Sequence, residues 1–536
     1  MKFLTTQAER EEAHERLCAL LASRGEWFCA EASAGRVRAA ESFRVPVNLR
    51  AGDFEVRVAN GALHFSCWTE TGARTWRVAA WEWSGGKIVL RVERRAGAER
   101  ATLELVPRAS ARADAEAVVA ARRAACERWA AAVCAHAPGS KIESVRLSAG
   151  ARRSEPGRYA RALLRRGRRE LIAATGALVA LRTHETDAML ASALAWWLRL
   201  GDGGREKGKR RASGAARLWL VASRELSQPV AERVALLREE VRGAIKLFES
   251  DMSDVTARAS QSETNKLTEV ETPRLESLLN GARRFRYAPR AEMSEAAAQL
   301  VALAPAEIDV IRARHGETVR FNGLAFARVR RVSGRERVWL GVSGAGQRIL
   351  LDEGNTRELA KLLDELASHR CADAEDKRHA YFRAAPEAWL ESVLRRDISR
   401  LDPGLVVAPL YVQFRTSRAG AGARPVDLLA LRRDGRLVVI ELKVSEDAAL
   451  PIQGADYWRR VEAHRLNGDL RRARLFGDLE IADEPPLVYL AAPIFRFHRG
   501  FHTLARMIDP AIEMFRFDLN EDWRAGVSVV RRTRAN

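Results

Sequence analysis

Hydrophobic positions along the chain follow three different spacings. Between residues 43 and 107 apolar and polar positions alternate, in FEVRVANGALHFSCW, TWRVAAWEW and KIVLRVERR, with Asn-Gly and Gly-Gly pairs between the runs. A period of two broken by turn pairs predicts an antiparallel β unit. Residues 1 to 25 and 112 to 136 carry helical spacing instead. From about 150 to 250 the period changes from element to element: a helix in GRYARALLRRGRRELIAA, a hairpin around Gly176, a helix in ETDAMLASALAWWLRL, a strand in ARLWLVAS and a helix in AERVALLREEVRGAIKLF. Such alternation packs helices onto a sheet.

Residues 251 to 280 are poor in large apolar groups and rich in Ser, Thr and Glu, the composition of a linker. Three strands follow between 317 and 351, then a helix, RELAKLLDELASHR, that Asn355 or Thr356 can cap. A chain of 536 residues is too long for one core. The expected architecture is multidomain α/β and α+β: an N-terminal β-rich unit with flanking helices (1–140), a central α/β unit (141–250), a linker (251–285), a small β-plus-helix module (286–372) and a C-terminal α/β unit (373–536).

Composition narrows the function classes. No apolar run reaches membrane-span length, and the opening MKFLTTQAEREEAHERL turns polar too early for a secretory signal, so a cytoplasmic protein without a membrane partner is expected. Six scattered cysteines form no CxxC pair and read as reduced thiols. A formal charge of +20 suits a nucleic-acid partner bound in a salt-dependent way; a base composition favouring Arg and Ala is the bland alternative. The stretch GREKGKRRASG offers Lys207, Lys209, Arg210 and Arg211 to a phosphate backbone, or is a solvated loop. Trp68, Trp76, Trp81 and Trp83 read as sheet packing, with base stacking as the alternative. His464, His498 and His502 are spaced too loosely for a metal site.

The segment that carries chemistry is RPVDLLALRRDGRLVVIELKVSEDAALPIQGADYWRRV, residues 424 to 461. An apolar strand from Val426 to Leu431, a turn at Arg433, Asp434 and Gly435, and a second apolar strand from Leu437 to Leu442 form a hairpin. Charges in buried strands need compensation. Alternation puts Glu441 and Lys443 on one face, which Asp427 on the partner strand can reach. Two converging carboxylates suit Mg²⁺ or Mn²⁺, and a lysine beside them can orient water or stabilise charge on a phosphate.

These residues resemble the PD-(D/E)xK nuclease superfamily, in its NucS-like and RecB-like branch, whose signature is an acidic residue on one strand and (D/E)xK on the next. Asp427, with Pro425 two residues ahead, matches the first element; Glu441, Leu442 and Lys443 match the second. Val426 interrupts the usual Pro-Asp pair. Upstream, the helix starting at Pro386 brings Glu387, or alternatively Glu391, to the position from which the family adds a glutamate to its metal. Downstream, Gln453 and Tyr457 match the family's QxxxY. The resemblance implies a restriction-endonuclease-like domain with a mixed sheet. Its catalytic set would be Asp427, Glu441, Lys443, Gln453 and Glu387, its metal ligands Asp427, Glu441 and Glu387, and its substrate contact Tyr457. The implied activity is Mg²⁺- or Mn²⁺-dependent phosphodiester hydrolysis, of DNA in the first place, in repair, restriction or defence. No GxxxxGK[ST] loop is present, so a helicase would have to be a partner. An inactive nucleic-acid-binding protein and an interaction scaffold are the competing classes.

The central and C-terminal units also share an order of elements, as if repeated. Setting Gly176 on Gly435 places Arg182 and His184 where Glu441 and Lys443 stand, which predicts a degenerate lobe that binds substrate or packs on the active one. A different strand order in the two units would end that idea.

Overall fold

The computed structural model describes residues 2–24, 26–32, 47–50, 53–69, 72–84, 86–94, 99–149, 156–167, 170–177, 181, 183–201, 217–250, 267–281, 292–313, 316–332, 335–342, 349–414 and 425–536. They form four separate open sheets with helices between them, a multidomain α/β and α+β architecture. None of the described helices is long and apolar enough to cross a membrane.

The alternating N-terminal segment forms an eight-stranded antiparallel sheet. Helix Gln7–Arg24 covers one face of it through Ala13, Leu17 and Leu21. Trp76 and Trp81 are buried in that core and serve packing, whereas Trp83 is exposed and only stands edge-on to Trp27. A five-stranded antiparallel meander spans Ile308–Leu350 and is followed by helix Thr356–His369.

Between and after these units lie two six-stranded mixed sheets. The central one contains β1 (Ser140–Ala149), β2 (Pro156–Arg166), β3 (Glu170–Ala177), β4 (Arg217–Ser223), β5 (Ile245–Ser250) and β6 (Leu267–Val270). The C-terminal one contains β7 (Tyr411–Phe414), β8 (Val426–Leu431), β9 (Leu437–Leu442), β10 (Leu487–Pro493), β11 (Met514–Leu519) and β12 (Val529–Arg534). Both sheets keep sequential strand order, and in both the successive pairings run antiparallel, antiparallel, parallel, parallel, antiparallel.

The helices correspond as well. α1 (Arg108–Ala135) precedes the central sheet, α2 (Thr186–Gly201) joins β3 to β4, and α3 (Arg224–Val234) joins β4 to β5. In the C-terminal lobe α4 (Pro386–Arg396), α5 (Leu450–Leu466) and α6 (Phe501–Ala505) occupy the same places in the order.

Four sequence expectations change here. The predicted helix GRYARALLRRGRRELIAA is the β2–β3 hairpin, turning at Gly167, whose φ is +62°. Ala, Leu and Arg favour helix in isolation. Alternate burial of Ala160, Ala162 and Leu164 beneath Trp129 and Ala130 of α1 outweighs that preference. Gly176 is no turn: it lies inside β3, where a Cβ would meet the Trp129 indole at 2.7 Å. The predicted helix AERVALLREEVRGAIKLF ends at Val234, and Ile245–Ser250 is the buried strand β5. Of the expected linker, residues 251–266 lie outside the described set and Leu267–Val270 is strand β6.

The two lobes face each other across one apolar core. Leu190, Leu194, Val230 and Leu237 of the central lobe share it with Ile452, Ala455, Leu504 and Ile508. Leu237 bridges Ile508 antiparallel, with Arg238 N donating to Met507 O at 2.8 Å and Asp509 N to Leu236 O at 2.9 Å. Each of these segments follows the corresponding helix of its lobe, and antiparallel pairing of equivalent segments is what a two-fold relation produces. Arg233 spans the junction, donating to Asp187 at 2.9 Å and to Asp456 at 3.0 Å.

Candidate active site

The hairpin β8–β9 pairs Leu428 with Ile440 and Leu429 with Val439, so continuing the register sets Asp427 opposite Glu441. Parity then divides the hairpin. Leu428, Ala430, Ile440 and Leu442 face Trp389, Leu390 and Leu394 of α4. Leu429, Leu431 and Val439 face Tyr457 and Val461 of α5, and Asp427 and Glu441 share their side. Gly435, at φ +83°, makes the turn, and a Cβ there would stand 2.9 Å from Glu480 O.

Glu441 is 1% exposed and Lys443 8%. Lys443 follows the end of β9, tied to β10 by its N–H donating to Ala491 O at 3.0 Å. Its Nζ donates to Glu441 Oε1 at 2.8 Å. Gln453, on the first turn of α5, donates through Nε2 to the same Oε1 at 2.6 Å and to Tyr457 Oη at 2.9 Å. Gly454 lets that turn sit close to β10, since a Cβ there would stand 2.7 Å from Leu490 Cδ2. Asp427 Oδ2 accepts from Leu442 N at 3.0 Å. The second oxygen, Glu441 Oε2, is buried with no hydrogen-bond partner.

Electrostatics follow from this crowding. Burial first, then the neighbouring Asp427, push the Glu441 carboxyl well above the usual carboxylate range, against the pull of Lys443. Burial works against the Lys443 ammonium, but Glu441, Asp427 and Glu387 outweigh it and hold the lysine protonated. Burial also raises Glu387; Lys443 opposes that, while Asp427 and Asp447 add to it.

The donor set bears on a metal. A buried carboxylate oxygen without a donor, facing a second carboxylate, is a place where a divalent cation would relieve both the repulsion and the unmet lone pair. Among the described residues no group of three His, Cys, Asp or Glu converges to ligate one ion. Asp427 and Glu441 would offer two hard oxygen ligands to a divalent cation, and its remaining ligands would have to be water or substrate. Glu387, at the start of α4, is an electrostatic neighbour of Lys443, Asp427 and Asp447.

The alternative residue, Glu391, is turned away. Its carboxylate accepts from Arg320 of the meander at 2.9 Å and is buried there. Tyr457, expected to touch substrate, is 3% exposed and packs in the core behind Gln453, so its place is behind the site and not on its surface. Lys207, Lys209, Arg210 and Arg211 lie outside the described residues. His464 is buried against Asp469 at 2.9 Å, and His502 meets Arg516.

Two features escaped the sequence. Asp447 neighbours Glu387 and accepts from Ala449 N at 2.8 Å; its signal was the Ser-Glu-Asp just ahead of a helix. The meander also positions α4, which no local pattern announced. Its Asn322-Gly323 turn presses on α4, where a Cβ on Gly323 would meet Ala388 O at 2.1 Å. Buried Arg370 donates to Asn322 O, Tyr381 O, Ala384 O and Ala385 O and stacks on Trp389, pinning the left-handed Ala385 that precedes Pro386 and Glu387.

The lobes can be aligned residue by residue. β4 and β10 pair their second residues, Leu218 and Val488, with the first residues of β5 and β11, Ile245 and Met514. Arg217 then matches Leu487, and since Ile172 pairs with Arg217 and Val438 with Leu487, Thr175 stands at the place of Glu441 and Ala177 at that of Lys443. Arg161, opposite Thr175, takes the place of Asp427. This replaces the expected correspondence with Arg182, which lies outside the described residues, and His184, which is in the short helix Thr183–Glu185. Gly176 is a strand residue and Gly435 a turn residue, so the two do not correspond.

No family model matches the chain, and no curated protein does. Among solved structures it is matched to that of an EndoMS complex with double-stranded DNA, at 16% identity and a TM-score of 0.16, over 39% of this chain and 64% of that one. A superposition score this low identifies no fold.

Proposed function

We infer that the C-terminal lobe hydrolyses phosphodiester bonds of nucleic acid, DNA in the first place, with Mg²⁺ or Mn²⁺. One observation carries the reading: Asp427, Glu441, Lys443 and Gln453 meet at the end of a buried strand pair, with Glu441 Oε2 left without a partner. A buried carboxylate oxygen that faces Asp427 and has no donor favours a cation between the two over an ordinary ion pair. Asp427 and Glu441 would hold the ion, and when bound it would supply Lewis-acid stabilisation of phosphate charge and activation of water.

The chain's own residues do the rest. Gln453 fixes the rotation of the Glu441 carboxylate, and Tyr457 fixes Gln453. The Leu442 amide holds Asp427. Lys443, kept protonated by three carboxylates, places a positive charge where a phosphate gains negative charge. The +20 formal charge draws a polyanion to the molecule.

The test incubates the full chain with labelled single-stranded and duplex DNA and with RNA, in Mg²⁺, Mn²⁺ or EDTA, beside D427A and E441A. Cleavage that needs the divalent ion and disappears in both variants, while their binding persists, is the expected result. Absence of cleavage on every substrate, or equal cleavage by the variants, overturns the reading. Salt-dependent binding without cleavage would then leave a nucleic-acid-binding protein.

A further inference from the structure

The row of residues that stands in for the carboxylates in the central lobe is itself unusual. Arg146 on β1 lies directly opposite Arg161 on β2, and Arg161 lies directly opposite Thr175 on β3. Like charges directly across a ladder repel. Both guanidinium groups sit over the ring of Trp196 on α2, at 5.7 and 5.3 Å from its centroid. Arg161 is 9% exposed. Its Nη2 donates to Ser192 O at 3.0 Å and Ser192 Oγ at 2.7 Å, and among the described residues it is paired with no carboxylate.

Three buried hydrogen-bonding atoms of this cluster have no partner: Arg161 Nε, Thr175 Oγ1 and Trp196 Nε1. A buried donor left unmade costs about 1–3 kcal/mol, and a charged one more. Here three accumulate at one place. Arg199 adds a further positive charge nearby, and burial together with Arg199 and Arg146 pushes Arg161 down to about 10. Two arginines also share the ring of Trp389, where Arg524 Nε is unpaired, but Arg370 there is met by four backbone carbonyls, and Arg233 and Arg320 are buried with carboxylates around them.

A tetrahedral oxyanion answers every one of these features. It accepts from a guanidinium, an indole N–H and a hydroxyl at once, and it separates two facing arginines. We propose that Arg146, Arg161, Thr175 and Trp196 form a phosphate-binding site in the central lobe, and that its ligand is a backbone phosphate of a nucleic-acid strand. The strand source is favoured by the overall +20 charge and by the exposed position of Arg146, which opens the cluster to solvent. This site stands on binding alone and survives even if the C-terminal lobe does not cleave.

The experiment measures binding of a fluorescein-labelled oligothymidylate to the full chain by anisotropy, in EDTA and low salt. The variants are R161M, R146A and, as a control for net charge on another sheet, R331A. Loss of a charge-assisted hydrogen bond predicts about tenfold weaker binding for R161M and R146A, and little change for R331A. If buried Arg161 cannot be replaced without unfolding, R146A carries the test. Equal affinity for wild type and R146A, or an equal loss in R331A, overturns the site. In a second arm inorganic phosphate raises the melting temperature of wild type and not of R146A. Stabilisation by phosphate that the oligonucleotide does not compete away would assign the pocket to a free phosphate compound and overturn the strand assignment.

Discussion

The central and C-terminal lobes have the same strand order, the same pattern of strand directions and the same sequence of helices, yet the matching row reads Arg161, Thr175, Ala177 in one and Asp427, Glu441, Lys443 in the other. A fold of this kind presents a row of side chains at the end of its central strands, and the identity of that row decides whether the place suits a cation or an anion. In the C-terminal lobe two carboxylates repel until something positive lies between them. In the central lobe two arginines repel until something negative does. The lobes, joined through Arg233, Asp187 and Asp456 and through a backbone bridge, present one row of each sign.

The largest expected effect is on cleavage. D427A and E441A should each lower it on the order of a thousandfold or more. Since only one lobe carries carboxylates in this row, supercoiled plasmid should pass through an accumulating nicked circle before linear product appears on a gel. Simultaneous appearance of linear DNA would mean that the lobes do not differ as their rows suggest.

Next comes the junction. D456N leaves buried Arg233 short of a partner and should cost about 3–5 kcal/mol of stability at neutral pH. Although burial opposes it, Arg233, Arg460 and Arg459 hold the Asp456 carboxyl below the usual range. The stabilisation is therefore complete above the unfolded aspartate value of about 3.9 and is lost as pH falls through the folded one. Denaturant melts of wild type and D456N should converge as pH drops below about 4; a constant gap down to pH 2.5 would contradict the assignment.

A smaller effect is expected from G176A, which drives a methyl group into the Trp129 indole. Overpacking should lower stability by about 1–3 kcal/mol, read from the urea midpoint, while cleavage by the folded fraction stays near wild type. Smallest of all, Y457F removes the hydroxyl that accepts from Gln453. Loss of about 1 kcal/mol of positioning should reduce turnover several-fold with little change in melting temperature. A thousandfold loss would instead move Tyr457 into the chemistry.

Legibility in the sequence varied with distance along the chain. The β8–β9 hairpin was readable since its turn, its alternation and its three charges lie within 17 positions, Asp427 to Lys443. Gln453 was readable as part of a helix starting a few residues later. The choice between Glu387 and Glu391 was not: both lie on one face of α4, and only the arrival of Arg320 from the meander separates them. Tyr457 matched a motif, but whether a motif residue faces solvent or core depends on what α5 packs against. The β2–β3 hairpin was misread as helix since its residues favour helix on their own, and the α1 helix that buries every second one is distant in sequence.

The sequence by itself determined which residues can do chemistry and which face of β9 carries them, for strand parity and turn formation are short-range properties. Only the tertiary structure decided that Arg161 and Thr175 occupy the corresponding places in a second lobe, that Glu391 is spent on Arg320, and that the two lobes are joined through Arg233. Those outcomes depend on pairings between segments tens to hundreds of residues apart, and no local periodicity encodes which distant side chain will arrive.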